Sequence, residues 1–117
     1  MGDPQIASPL VYLARVELAR VETGRGDLSA MERPLEEALG ILSSRRPSHW
    51  LTAEAHILLG SCRRRQLRSA EAEEQLREGL QILETGANSA ILETRKRLVK
   101  VAQAELDEIA RTAKAPD

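Results

Sequence analysis

Apolar residues recur along this chain at intervals of three and four, in five stretches separated by short runs of Gly, Pro, Ser and Asn. The first helical stretch spans about Ser8 to Thr23 and places Leu10, Leu13 or Ala14, Val16 or Glu17, and Val21 at helical spacing. "TGRGD" (Thr23–Asp27) then supplies two glycines for a sharp reversal. The second helix is read from about Leu28 to Ser44, with Met31, Leu35, Ala38, Leu39 and Leu42 inward. Pro34 lacks a backbone donor and is expected to delay or bend it. After "SSRRPS", Ser48 is the expected N-cap of a third helix, about His49 to Gln66, with Leu51, Ala55, Leu58, Leu59 and Cys62 inward. A fourth, about Ala70 to Glu84, carries Ala72, Leu76, Gly79, Leu80 and Leu83. "TGANS" breaks it, and a fifth, about Ala90 to Ala113, carries Ile91, Leu98, Ala102, Leu106 and Ile109. No stretch alternates with period two for long enough to make a strand, so the reading is all-α.

The second and fourth helices are near-copies. "SAMERPLEEALGIL" lies over "AEAEEQLREGLQIL" at a constant shift of 41, pairing Met31 with Ala72, Leu35 with Leu76 and Ala38 with Gly79. The first and third helices follow at the same shift, with Leu18 on Leu59 and Ala19 on Gly60. A hairpin repeated at this period is the signature of a solenoid, in which each unit buries its apolar side on the next.

These residues resemble the tetratricopeptide repeat (TPR) family. Leu59-Gly60 matches the family's Leu-Gly pair, Ala72 its helix-contact alanine, Leu76 its bulky apolar residue, and Gly79-Leu80 its small-Leu pair. The earlier hairpin matches with Leu18-Ala19, Gly26, Leu28, Leu35 and Ala38-Leu39. Leu67 stands where the family turns with Gly, Ser69 where it packs an aromatic ring, and His56 replaces another aromatic. The 41-residue period exceeds the family's usual one and implies longer helices. "HWLTAEAHILLGSC" further resembles the arrays that follow the kinase domain in bacterial serine/threonine protein kinases.

The resemblance implies a short right-handed TPR-like α-solenoid of antiparallel hairpins. Repeat one spans about 8–45, repeat two about 48–85, and a closing helix about 90–113, all within one domain over 1–117. It also implies a ligand groove lined by first helices, here Val16 and Arg20 in repeat one and Glu54, Ile57, Ser61, Arg64 and Arg65 in repeat two. The chaperone-tail type of TPR places Lys and Asn where this chain has Val16 and Arg20, so heat-shock-protein binding is not expected. Arg20, Arg64 and Arg65 would instead favour an acidic peptide.

Composition narrows the alternatives. Aromatics are 2% with no Phe, so the core must be built from Leu, Ile, Val and Ala, which suits helices better than sheets. A formal charge of −1 argues against a general nucleic-acid or acidic-membrane footprint. The single Cys62 cannot close an internal disulfide. No apolar run approaches a membrane span and "MGDPQIASPL" has no targeting character, so the expected location is the cytoplasm.

His49, His56 and Cys62 are the residues that could carry metal or nucleophilic chemistry. The two histidines are seven apart, whereas zinc pairs on one helix sit four apart, and a nucleophilic Cys needs an oriented base in a cleft. The plainer reading makes them a cap-region His, a packed His and a core Cys. No phosphate loop, kinase glycine loop or catalytic loop is present. "RGD" (Arg25–Asp27) reads as a solvated Arg, a left-handed Gly and an N-cap Asp, and "RRRQLR" as arginines complementing a helix C-terminus.

The function expected is therefore a non-enzymatic protein-interaction module with no cofactor or metal. Its context would be the C-terminal part of a bacterial signalling protein such as a serine/threonine kinase. The competing expectations are a homodimerisation unit pairing through Leu10, Val11 and Leu13, and, less favoured, a His/Cys metal protein.

Overall fold

The computed structural model describes residues 4–85 and 92–113. They form five α-helices: α1 (Pro4–Glu22), α2 (Leu28–Arg45), α3 (Trp50–Arg65), α4 (Ser69–Thr85) and α5 (Leu92–Ala113). No strand occurs among the described residues. The expected "TGANS" break beyond Thr85, the closing helix's start at Ala90 and the inward Ile91 lie outside them.

Local chemistry sets the helix ends. Asp27 is extended (φ −129°, ψ 119°) and its carboxylate accepts the Ser29 N–H, capping α2 as read from "RGD". The left-handed glycine, however, is Gly24 (φ 79°) and not Gly26. Gly26 is required for proximity, because a Cβ there would lie 2.5 Å from the Val21 backbone nitrogen. Pro34 does not delay α2, which begins at Leu28 and runs through it. The cap and the buried Met31 and Leu35 on either side hold the helix together across the missing donor.

The cap of α3 falls one residue later than Ser48. His49 is extended (φ −79°, ψ 147°) and its Nδ1 accepts the Leu51 N–H at 3.0 Å. Between α3 and α4 the chain turns at Leu67, which adopts φ 65° with an 89% exposed side chain. A left-handed Leu carries steric strain that Gly would not.

Burial follows the sequence stripes closely in four helices and departs from them in α1. Met31, Leu35, Ala38, Leu39 and Leu42 of α2 are buried, as are Ala72, Leu76, Gly79 and Leu83 of α4. In α1 the buried positions are Ala7, Val11 and Ala14, with Leu10, Leu18 and Val21 packed beside them. Leu13 and Val16, both candidates for the inward stripe, are 56% and 40% exposed. Burying Ala7 also explains why α1 starts at Pro4 and not near Ser8: the added turn covers core.

Two apolar clusters result, and α3 belongs to both. Leu51, Ala55, Leu58, Leu59 and Cys62 join α1 and α2, while Ala53 and Ile57 join α4 and α5 around Leu76, Leu83, Leu98 and Ala102. Trp50 is half-buried against each cluster. Every helix packs on its neighbours in sequence, α1 and α5 both pack on α3, and α2 and α4 do not meet. So α3 is enclosed by the four other helices, and twelve of its positions are buried.

Candidate functional site

Enclosure of α3 fixes the fate of the expected groove. Of the seven residues assigned to it, only Val16 and Arg20 on α1 face outward. Ile57 is 1% exposed and sits against Gly79, whose missing side chain leaves room for it. Glu54 is 2% exposed, and Arg15 of α1 clamps its carboxylate through Nε and Nη2, both at 2.8 Å. That hydrogen bond, which outweighs the cost of burial, raises the Arg15 guanidinium above its ordinary value. Ser61 is 1% exposed and donates to Glu105 of α5.

Glu105 also collects the remaining two groove arginines. Arg64 Nε bonds one carboxylate oxygen, and Arg65 Nη1 bonds the other at 3.1 Å while its Nη2 reaches Glu22 of α1 at 3.3 Å. Burial alone would raise the Glu105 carboxyl, but the hydrogen bonds from Ser61, Arg64 and Arg65 prevail and hold it below the usual carboxylate range. Arg20 lies 3.6 Å from Glu17. The three arginines expected to attract an acidic peptide are therefore already matched by this chain's own carboxylates.

Arg63 completes the pattern. Its side chain is 9% exposed and braces three helices, bonding Glu32 and Glu36 of α2 and approaching Glu71 of α4 at 3.7 Å. Hydrogen bonds from Arg63 first and Gln66 second depress the Glu32 carboxyl. The run "RRR" is thus more than a complement to the α3 dipole: it ties α3 to all four neighbours. What sequence reasoning lacked was the partner set, because apart from Glu71 these carboxylates lie 27 to 43 residues away in the chain.

The residues considered for chemistry are committed elsewhere. His49 caps α3, and its ring lies tilted against that of Trp50 with centroids 5.6 Å apart. His56 Nδ1 is 2.7 Å from Gln75 Oε1. The Cys62 Sγ donates to the Leu28 carbonyl at 3.5 Å, and burial pushes its thiol up to about 11, which disfavours the reactive thiolate. Among the described residues no three His, Cys, Asp or Glu side chains gather as a metal site, and no buried side-chain polar atom lacks a hydrogen bond. The Asp27 Oδ1 of "RGD" accepts both the Ser29 N–H and the Ser29 hydroxyl. Among the described residues, no helix is long and apolar enough to cross a membrane.

Two open surfaces border α1 among the described residues. One is a cleft of about 430 Å³ where α1, α3 and α5 meet, lined by Glu22, Arg64, Val101, Ala104, Glu105 and Glu108. The other is the outer side of α1, which exposes Ile6, Tyr12, Leu13 and Val16. Comparison with known families, curated proteins and solved structures finds no match to this chain.

Proposed function

We propose that the chain is a non-catalytic protein-interaction module, a short right-handed TPR-like solenoid that binds a segment of another protein on the face shared by α1, α3 and α5. One observation carries this reading: α1 and α5 flank α3 while α2 and α4 stay apart on the other side. That is the neighbour pattern expected when a hairpin is repeated and stacked. Small residues at the crossing support it, since Gly60 lies against Leu76 and Gly79 against Ile57 too closely to admit a Cβ.

The binding surface would be the cleft beside Arg64 and Val101, extended over Val16 and Arg20 of α1. The context proposed is a cytoplasmic bacterial signalling protein, supported by the resemblance of "HWLTAEAHILLGSC" to kinase-associated arrays.

A photo-crosslinking amino acid at Val16 or Val101 tests the site in cells. Defined protein adducts are expected from both, and none from the same group at Glu37 or Glu74, which are exposed on α2 and α4. Equal adducts from all four positions would remove the reading.

A second reading, self-association through α1, is favoured by its exposed apolar stripe. Arg15, Glu17 and Arg20 beside that stripe are paired within the chain, so it offers a partner apolar contact without free charge, as a second copy would require. The positions differ from those expected: Leu13 is available, but Val11 is wholly buried and Leu10 half-buried. Sedimentation velocity across a wide concentration range should show a dimer that Leu13→Asp abolishes; a monomer throughout would remove this reading.

A further inference from the structure

The arginines of α3 spend their charge inside the molecule, as Arg111 of α5 does on Glu108, and three other cations of α5 do not. Arg95, Lys96 and Lys100 lie on one side of α5 at helical spacing, and none has an ion-pair partner among the described residues. Between them are Leu92, 62% exposed, and the half-buried Val99, and together with Gln103 these side chains line a shallow cleft of about 310 Å³. Free positive charge thus surrounds an apolar floor. On α3 the same residue types were closed off by Glu22, Glu32 and Glu105.

We infer that this side of α5 is a docking site for an acidic amphipathic segment of a partner protein, one that sets an apolar side chain on Leu92 and Val99 and offers carboxylates to Arg95, Lys96 and Lys100. Charge complementarity selects the occupant. Length selects a short one. Beyond Lys100 α5 continues into the exposed Asp107 and then Glu108, which Arg111 pairs, so an extended polyanion such as a bilayer surface or a nucleic acid would meet carboxylates further along the same helix. A segment with two or three carboxylates ends before reaching them. The inference rests on the interaction-module reading and moves the acidic partner from the α3 groove, where the sequence suggested it, to α5.

The probe is a short amidated helical peptide carrying two leucines flanked by glutamates, with its glutamine counterpart as control. Exposed ion pairs are individually weak, so three together predict a preference of about tenfold for the glutamate peptide. That preference should shrink with added salt, and amide shifts in the labelled protein should centre on residues 92–103. Lys96→Gln with Lys100→Gln, both at exposed positions, should erase the preference while Arg33→Gln on α2 leaves it intact. Circular dichroism checks that the variants keep their helix content.

Equal binding of the two peptides, binding to neither, or shifts centred elsewhere would overturn the inference. So would binding of phosphatidylserine vesicles or a DNA duplex that depends on Lys96 and Lys100. Crosslinks at Val16 without acidic-peptide binding would remove this inference and leave the interaction module standing.

Discussion

The two helix pairs related by the shift of 41 behave differently, and the contrast is instructive. In α2 and α4 the burial pattern repeats: Leu35 and Leu76 are both 0% exposed, Ala38 and Gly79 are both buried, and so are Leu42 and Leu83. In α1 and α3 it does not. Leu13, Val16, Ala19 and Arg20 are exposed, while their counterparts Glu54, Ile57, Gly60 and Ser61 are buried. At one pair the residue types run opposite to that outcome, with Leu13 on the open helix and Glu54 in the closed one. Burial here is set by neighbours more than by hydropathy. α3 has a helix on each side and a hairpin partner, whereas α1 has company on one side only.

The contrast can be broken most sharply at the matched leucines. Leu35→Ala and Leu76→Ala should each cost about 3 kcal/mol, similar to one another, because both side chains are fully enclosed. Ile57→Ala should cost nearly as much, while Val16→Ala should change stability by less than about 0.5 kcal/mol. Urea melts of the four variants measure this. A Val16 effect as large as that of Ile57 would show that α1 is packed as α3 is.

Glycines give the next largest effect. A Cβ at Gly60 would lie 2.6 Å from Leu76 Cγ and 3.1 Å from the Ala72 carbonyl oxygen. Gly60→Ala should therefore destabilise by about 2 kcal/mol, overriding the better helix propensity of Ala. The exposed Ala19 already carries a Cβ, and Ala19→Gly should cost about 1 kcal/mol from propensity alone. A stabilising Gly60→Ala would mean that α3 and α4 do not cross closely there.

Acid sensitivity should concentrate at the α3 cap. Burial first, and Arg46 second, lower the His49 imidazole from its ordinary 6.5. The unfolded chain therefore takes up that proton at higher pH than the folded one. The cap's contribution, about 1 kcal/mol, is complete above pH 6.5 and is lost as pH falls through the depressed value. His49→Asn keeps an acceptor at the cap without titrating, and should flatten the stability profile between about pH 7 and about pH 5. An unchanged slope in that variant would assign the titration elsewhere.

The smallest effect concerns the turns. Leu67 occupies a left-handed conformation and is almost fully exposed, so Leu67→Gly should stabilise by up to about 1 kcal/mol, despite the added freedom of the unfolded chain. Thermal melts that show a loss would mean Leu67 makes a contact in solution that offsets its strain.

The helices themselves were plain in the sequence because an apolar stripe on a polar helix has only one way to face a core, as in α2 and α4. α1 was ambiguous for a physical reason. Ala7, Val11, Ala14 and Leu18 form one apolar face and Ile6, Leu13 and Val16 another, and only the position of α3 decides between them. The groove arginines were legible as residue types and illegible as sites. The charge of Arg64 and Arg65 is settled by Glu105, which stands 41 residues from Arg64 and has no local signature. His49 as a cap was hidden behind Ser48, a better capping residue standing one position too early.

Native-state hydrogen exchange tests the central claim, that α3 is a strut enclosed by its four companions, most directly. Amides in the middle of α3, from Ala55 to Leu59, should exchange only through global unfolding, while those in α1 and α5 open with smaller free energies. Exchange in α3 as fast as in α1, or an opening energy well below that of global unfolding, would contradict it.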